Sequence, residues 1–223
     1  MSSIQDEIIK IKQEIPSHVR LVAVSKYHPN DDILTAYAIG QRIFGESQVQ
    51  ELQKKQSELP KDIEWHFIGH LQTNKVKYIV PYISLIHAVD SIRLLQEINK
   101  QAKKYNRVIN CLLQLHIAQE ETKFGLSFDE CKKLLSSTEF QNLTHIKIVG
   151  LMCMASNVED EIQIRSEFHQ ANEYFQIIKQ NYFANDPSFC ECSWGMSDDY
   201  PLAILEGSTL IRVGSRIFGE RKY

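Results

Sequence analysis

Along the whole chain, short apolar runs alternate with longer stretches whose apolar residues return at helical spacing. The runs are Leu21–Val24, Arg42–Gly45, Trp65–Gly69, Leu85–Val89, Ile109–Ile117, Ile146–Met154, Cys190–Trp194 and Thr209–Val213. Strand-length runs separated by amphipathic segments mark βαβ units: parallel neighbours are joined only through a crossover, and their sheet is covered on both faces. Eight such runs, seven intervening helical segments and a helix in front predict one α/β domain over residues 1–223, a (β/α)8 TIM barrel. An open doubly wound sheet could hold as many units. Leu21–Val24 is not followed by the Gly-x-Gly-x-x-Gly turn of a dinucleotide-binding sheet, however, and the barrel is preferred. No linker or composition shift divides the chain.

Helical signals fill the gaps. Ile164, Phe168, Ala171, Phe175 and Ile178 recur at steps of four and three within about residues 159–180, which predicts a one-sided packing stripe. Ser127 with Glu130 three residues later predicts a capping box opening the next helix. Ile4, Ile8, Ile11 and Ile15 give the N-terminus an amphipathic helix rather than a signal peptide.

Charge narrows the classes of partner. The chain of 223 residues carries 25 basic and 28 acidic residues, a formal charge of −3, so no basic excess exists to neutralise a nucleic-acid backbone. The pairs Lys54-Lys55, Lys103-Lys104 and Lys132-Lys133 read as solvated helix faces. No apolar run reaches bilayer length, and neither nucleic acid nor membrane is expected as a partner. Five cysteines without zinc-type spacing read as reduced thiols in the cytoplasm. His66 and His70 lie four residues apart on a strand, roughly 13 Å, too far to share an ion, so no metal is expected.

In a barrel of this kind the chemistry sits at the C-terminal ends of the strands. Lys26 follows the first strand directly. It is either a rim lysine that snorkels to water or a desolvated amine. After the seventh strand come Gly195, Met196, Ser197 and Asp198, and after the eighth Gly214 and Ser215. Loops in those two places hold phosphate in many barrels, with backbone N–H groups and hydroxyls as donors. Alternatively, Ser197 and Asp198 merely cap the next helix. A strand-end lysine facing an anion loop across a barrel mouth describes a site for pyridoxal 5′-phosphate (PLP).

Here the sequence resembles the YggS/PROSC family of PLP homeostasis proteins. The resemblance is carried by Leu21–Lys26, Phe44-Gly45-Glu46, the run Trp65–Lys75, Gly150-Leu151-Met152, Ser193–Asp199 and Ile211–Gly219, in the family's order over nearly the whole length. It implies the fold of the alanine racemase N-terminal barrel and PLP bound as an aldimine on Lys26. It also implies that Arg212 faces the pyridine nitrogen and that Ser197, Gly214 and Ser215 hold the phosphate, with Met196 beside them. Lys123 stands where the racemase barrel has a basic residue near the phenolic oxygen, and His66 is a further candidate contact. Ser47 and Trp194 depart from the family pattern, the latter with altered packing beneath the phosphate loop as its consequence.

An arginine at the pyridine nitrogen disfavours its protonation and weakens the electron sink, leaving racemisation as the least disfavoured chemistry. Two-base racemisation needs a second acid/base, which racemases take from another domain, and the chain runs only to Tyr223. The expectation is a cytoplasmic monomer that stores or delivers PLP, with PLP-dependent apoenzymes as recipients, no catalytic residues and no efficient turnover. The alternatives are a weak PLP-dependent amino-acid racemase and a barrel enzyme for phosphorylated sugars with Lys26 as its Schiff-base lysine.

Overall fold

In the computed structural model, which describes residues 3–118 and 124–219, eight parallel strands close into a barrel in sequence order. The strands are β1 (Arg20–Val24), β2 (Ile43–Glu46), β3 (Glu64–Phe67), β4 (Leu85–Val89), β5 (Ile109–Gln114), β6 (Ile146–Met152), β7 (Glu191–Ser193) and β8 (Leu210–Val213). Closure comes from β1 pairing with β8, in register from Arg20 against Leu210 to Ala23 against Val213. Each predicted strand is present, several of them shorter at the C-terminal end. Past Gln114 the Leu115 N–H still bonds the Met152 carbonyl, while Leu115 bridges Leu126 and the His116 N–H bonds the Leu126 carbonyl.

Helices cover the outside: α1 (Ile4–Glu14) before β1, then α2 (Asn30–Ala38), α3 (Val49–Glu58), α4 (Val76–Ile79), α5 (Ile92–Lys104), α6 (Phe128–Ser136), α7 (Thr138–Gln141), α8 (Glu161–Tyr182) and α9 (Tyr200–Leu205) between successive strands. A short α10 (Ser215–Phe218) follows β8. Ser127 and Glu130 form both arms of the capping box that opens α6. In α8 all five residues of the predicted stripe are buried. No helix among the described residues is long and apolar enough to cross a membrane.

The core falls into two parts. A large cluster fills the layer between strands and helices, whereas Val22, Leu85, Leu112, Val149, Met152 and Leu210 form a small one within the barrel. Strand alternation assigns them, a residue facing the barrel interior being followed by one facing the helices, except at the register shift in β6, which lets Val149 and Met152 both lie inward. One expectation fails. Lys54 is exposed, but Lys55 lies 4% exposed on the inner face of α3, in line with Val49 and Leu52. A lysine can stay there only because carboxylates meet it, as described below.

Candidate functional site

At the C-terminal mouth of the barrel lies a cavity of about 260 Å³, lined among others by Lys26, Met196, Ser197, Arg212, Gly214 and Ser215. Six residues singled out from the sequence are thus brought to one place. His66 is not among the lining residues, and Lys123 lies outside the described residues. Asp198, named from the sequence in the same loop, also lines the cavity, as do His28, Ile68, Met152 and Met154, which the sequence reading did not propose as site residues. Ser47 instead borders a neighbouring cleft with Gly69, His70, Gln72 and Lys75.

Strand alternation aims Lys26. Val24 and Lys26 line the cavity, while Ser25 between them is fully buried on the opposite face. The next residue, Tyr27, turns the chain with φ of +68°, a left-handed conformation that tyrosine seldom takes.

A further wall of the cavity is built from two loops. Gly195, at φ +91°, allows the chain after β7 to pass Ala203 and Tyr200, where a Cβ would sit 2.7 Å from the Ala203 Cβ. The Asp199 carboxylate accepts from the Met196 N–H at 2.5 Å, and Ser197 Oγ accepts from the Gly214 N–H at 3.3 Å. Asp199, at the N-cap of α9, makes no side-chain cap bond, and the Ser197 hydroxyl is engaged across the mouth instead. Gly214 packs close against Val24, where a Cβ would meet its carbonyl oxygen at 3.2 Å. Ser215 and Arg216 open α10 with first-turn N–H groups that have no helical partner, beside the Ser215 hydroxyl. Trp194, fully buried beneath this loop, leaves its indole Nε1 without a hydrogen bond among the described residues.

Arg212 reaches the cavity from β8 while remaining 4% exposed. One terminal nitrogen donates to the Ser193 carbonyl and hydroxyl, both at 2.6 Å, and the other to the Cys153 carbonyl at 3.0 Å. Beyond it a polar chain crosses the barrel interior. Ser193 Oγ lies 2.8 Å from His87 Nδ1, and His87 Nε2 lies 3.0 Å from His66 Nδ1. Burial holds both imidazoles neutral, lowering His66 to about 3 and His87 well below the usual range. The Ser193 hydroxyl accepts from the guanidinium; where it passes its own hydrogen to His87 Nδ1, His87 donates from Nε2 to His66 Nδ1. His66 therefore supports the floor under Arg212 from the third strand.

A second polar cluster sits on the outer face of the same strand ends. Lys55 Nζ donates to the Ser25 carbonyl at 2.7 Å, to Glu46 Oε1 at 2.8 Å and to Glu51 Oε1 at 2.7 Å. The Ser25 hydroxyl donates to Glu46 Oε1 at 2.6 Å. Burial pushes Glu46 up to about 7, against the pull of Lys55 and the Ser25 hydroxyl.

The residues at the mouth suit a flat, phosphorylated aldehyde. A strand-end amine, a guanidinium, two hydroxyls with free-standing N–H groups, and the thioethers of Met152, Met154 and Met196 line one space. Comparison with known proteins agrees. Residues 1–222 match the family model of the alanine racemase N-terminal domain. A pyridoxal phosphate homeostasis protein of Aquifex aeolicus is 39% identical over 205 residues, covering 92% of this chain and 88% of that protein. PipY of Synechococcus elongatus, solved with PLP bound, is 35% identical with a TM-score of 0.88, covering 97% of this chain and 100% of that one. Alanine racemase from Bartonella henselae, 16% identical, shares the fold with a TM-score of 0.72 across 98% of this chain and 58% of its own.

Proposed function

The chain belongs to the pyridoxal phosphate homeostasis proteins, built on the alanine racemase N-terminal domain, and from that premise we propose that it binds PLP at the barrel mouth and holds it for cellular use rather than for turnover. One observation carries the reading: the strand-end amine of Lys26 and the anion cradle of Ser197, Gly214 and Ser215 border the same cavity.

In this reading Lys26 Nζ would hold the aldehyde carbon, the aldehyde oxygen leaving as water. Ser197, Ser215 and the N–H groups at the start of α10 hold the phosphate, and Gly214 lets backbone and phosphate approach closely. Met196 packs beside the ring, and Arg212 takes the ring nitrogen. PLP, when bound, supplies an electron sink, and its strength depends on the charge of that nitrogen. Arg212 has no proton to give and no lone pair to share, and its other donors are already fixed on Ser193 and Cys153. It therefore orients the ring without activating it. That suits a carrier better than a catalyst. The proposed setting is the cytoplasm, with one barrel domain working as a monomer and PLP-dependent apoenzymes as recipients.

The test has two arms. PLP-loaded protein is expected to absorb at the edge of the visible, with the band removed by borohydride and missing in Lys26→Ala. Incubated with single L-amino acids, it is expected to leave chiral purity unchanged beyond the rate of free PLP. Turnover well above that rate would overturn the carrier reading.

A further inference from the structure

The cluster outside the barrel has no place in the cofactor site, yet three of its bonds reach the turn that carries Lys26: two to Ser25 and one to Tyr27. Tyr27 stands in the left-handed region at φ +68°, and the other described residue outside glycine to do so is Asn106, an amino acid that tolerates it. Such a conformation persists only where its surroundings over-determine it. Here they do. The Tyr27 N–H donates to Glu51 Oε1 at 2.6 Å, and the His28 N–H to the Ser25 carbonyl at 3.1 Å. That carbonyl also accepts from Lys55, which grips Glu46 and Glu51 with its remaining hydrogens.

The cluster is expensive for mere stability. Lys55, Glu46 and Ser25 have side chains 5% exposed or less, and Glu46 Oε2 finds no hydrogen bond among the described residues. A well-packed apolar group would commonly serve stability as well as a buried ion pair. Directional bonds do something an apolar group cannot, which is to fix a carbonyl and an amide on either side of one residue. Because Ser25 faces outward and Lys26 inward, fixing the peptide groups flanking Lys26 sets the direction of its side chain.

We propose that Lys55 and Glu51, anchored on Glu46, are positioning residues that hold the Ser25–Tyr27 turn in its left-handed form and so present Lys26 Nζ to the cavity. The inference rests on the PLP reading for its consequence, though not for its geometry.

The experiment compares wild type with Glu51→Ala, Lys55→Met and Lys54→Met, the last altering the exposed neighbour as control. In PLP-free protein, Glu51→Ala is expected to speed hydrogen exchange of the Tyr27 amide about tenfold while amides in the β5 and β6 ladders keep their protection. At half-saturating PLP, borohydride trapping on Lys26 is expected to fall about threefold in Glu51→Ala and about tenfold in Lys55→Met, and to stay unchanged in Lys54→Met. Should Lys55→Met fail to fold, Glu51→Ala carries the test alone. Unchanged Tyr27 exchange and unchanged trapping in Glu51→Ala would overturn the proposal. So would trapping that falls only in step with loss of melting temperature, which would make the cluster structural. If wild type traps no PLP on Lys26, the cofactor reading fails, while the exchange arm still judges the brace.

Discussion

Two buried polar networks meet at the barrel mouth, and they solve the same problem by opposite means. The inner one, Arg212–Ser193–His87–His66, carries a single charge, and every further member is neutral and bonded to the next. The outer one, Ser25–Glu46–Lys55–Glu51, packs an ammonium against two carboxyls. The inner chain lies within the barrel, among strands on several sides, and a neutral relay there needs no counter-ion. The outer cluster lies between β2 and α3, where a helix can bring its own Glu51 and Lys55 at i and i+4. Neutral chains set orientation over distance; ion pairs clamp a single turn.

The difference is sharpest on removing one partner. Lys55→Met leaves Glu46 as a fully buried carboxylate without its cation, and near pH 8 it is expected to cost about 3–5 kcal/mol in denaturant unfolding. Below pH 6 the cost should shrink, because Glu46 takes up a proton instead.

Titration pulls the two networks in opposite directions. Glu46 is raised from 4.5 to about 7, so the folded state binds its proton more tightly than the unfolded chain does. The stability this contributes is full below pH 4.5 and is lost as pH rises through 7, by at most about 1.4 kcal/mol per pH unit. Glu46→Gln should flatten that limb. His66 is lowered from 6.5 to about 3, and His87 lies lower than usual too. Their stability is full above pH 6.5 and is lost as pH falls toward 3, with a slope of about 1.4 kcal/mol per unit for each histidine. The windows overlap between pH 4.5 and 6.5, where the two histidines outweigh Glu46, so urea midpoints should rise with pH to about 6.5 and fall only between there and about 7. A profile with neither would break the comparison.

A smaller effect is expected inside the barrel. Ser193→Ala keeps the Arg212 bond to the Ser193 carbonyl but leaves His87 Nδ1 without its hydroxyl partner, at a cost of about 1–3 kcal/mol. The nitrogen resonances of His87 should then report a changed tautomer, while Glu46→Gln should leave them untouched.

Much of this molecule could be read from its amino acids because a parallel barrel buries each strand on both faces. Runs such as Leu85–Val89 and Ile146–Met152 are then mostly apolar, broken once each by His87 and Lys147, and what departs from that pattern at their ends stands out. Lys26, Ser197 and Gly214 were visible for that reason, and Arg212 through the family resemblance. Lys55 was not: α3 is mostly polar, and its lysine pair looked like surface. The signal was present, since residues 49, 52 and 55 fall on one face with Val49 and Leu52 apolar. The inner chain was hidden for a different reason. Strand alternation turns His66, Ser193 and Arg212 inward, but which residues meet across the interior depends on the strand stagger, which no periodicity of one strand encodes.

The central claim is that one amine and one anion cradle serve the same ligand. Borohydride trapping with PLP and with phosphate-free pyridoxal, followed by peptide mapping, tests it directly. The account expects PLP to label Lys26 selectively and pyridoxal to label it far less at equal concentration. Label on another lysine, or equal labelling of Lys26 by both aldehydes, would contradict it.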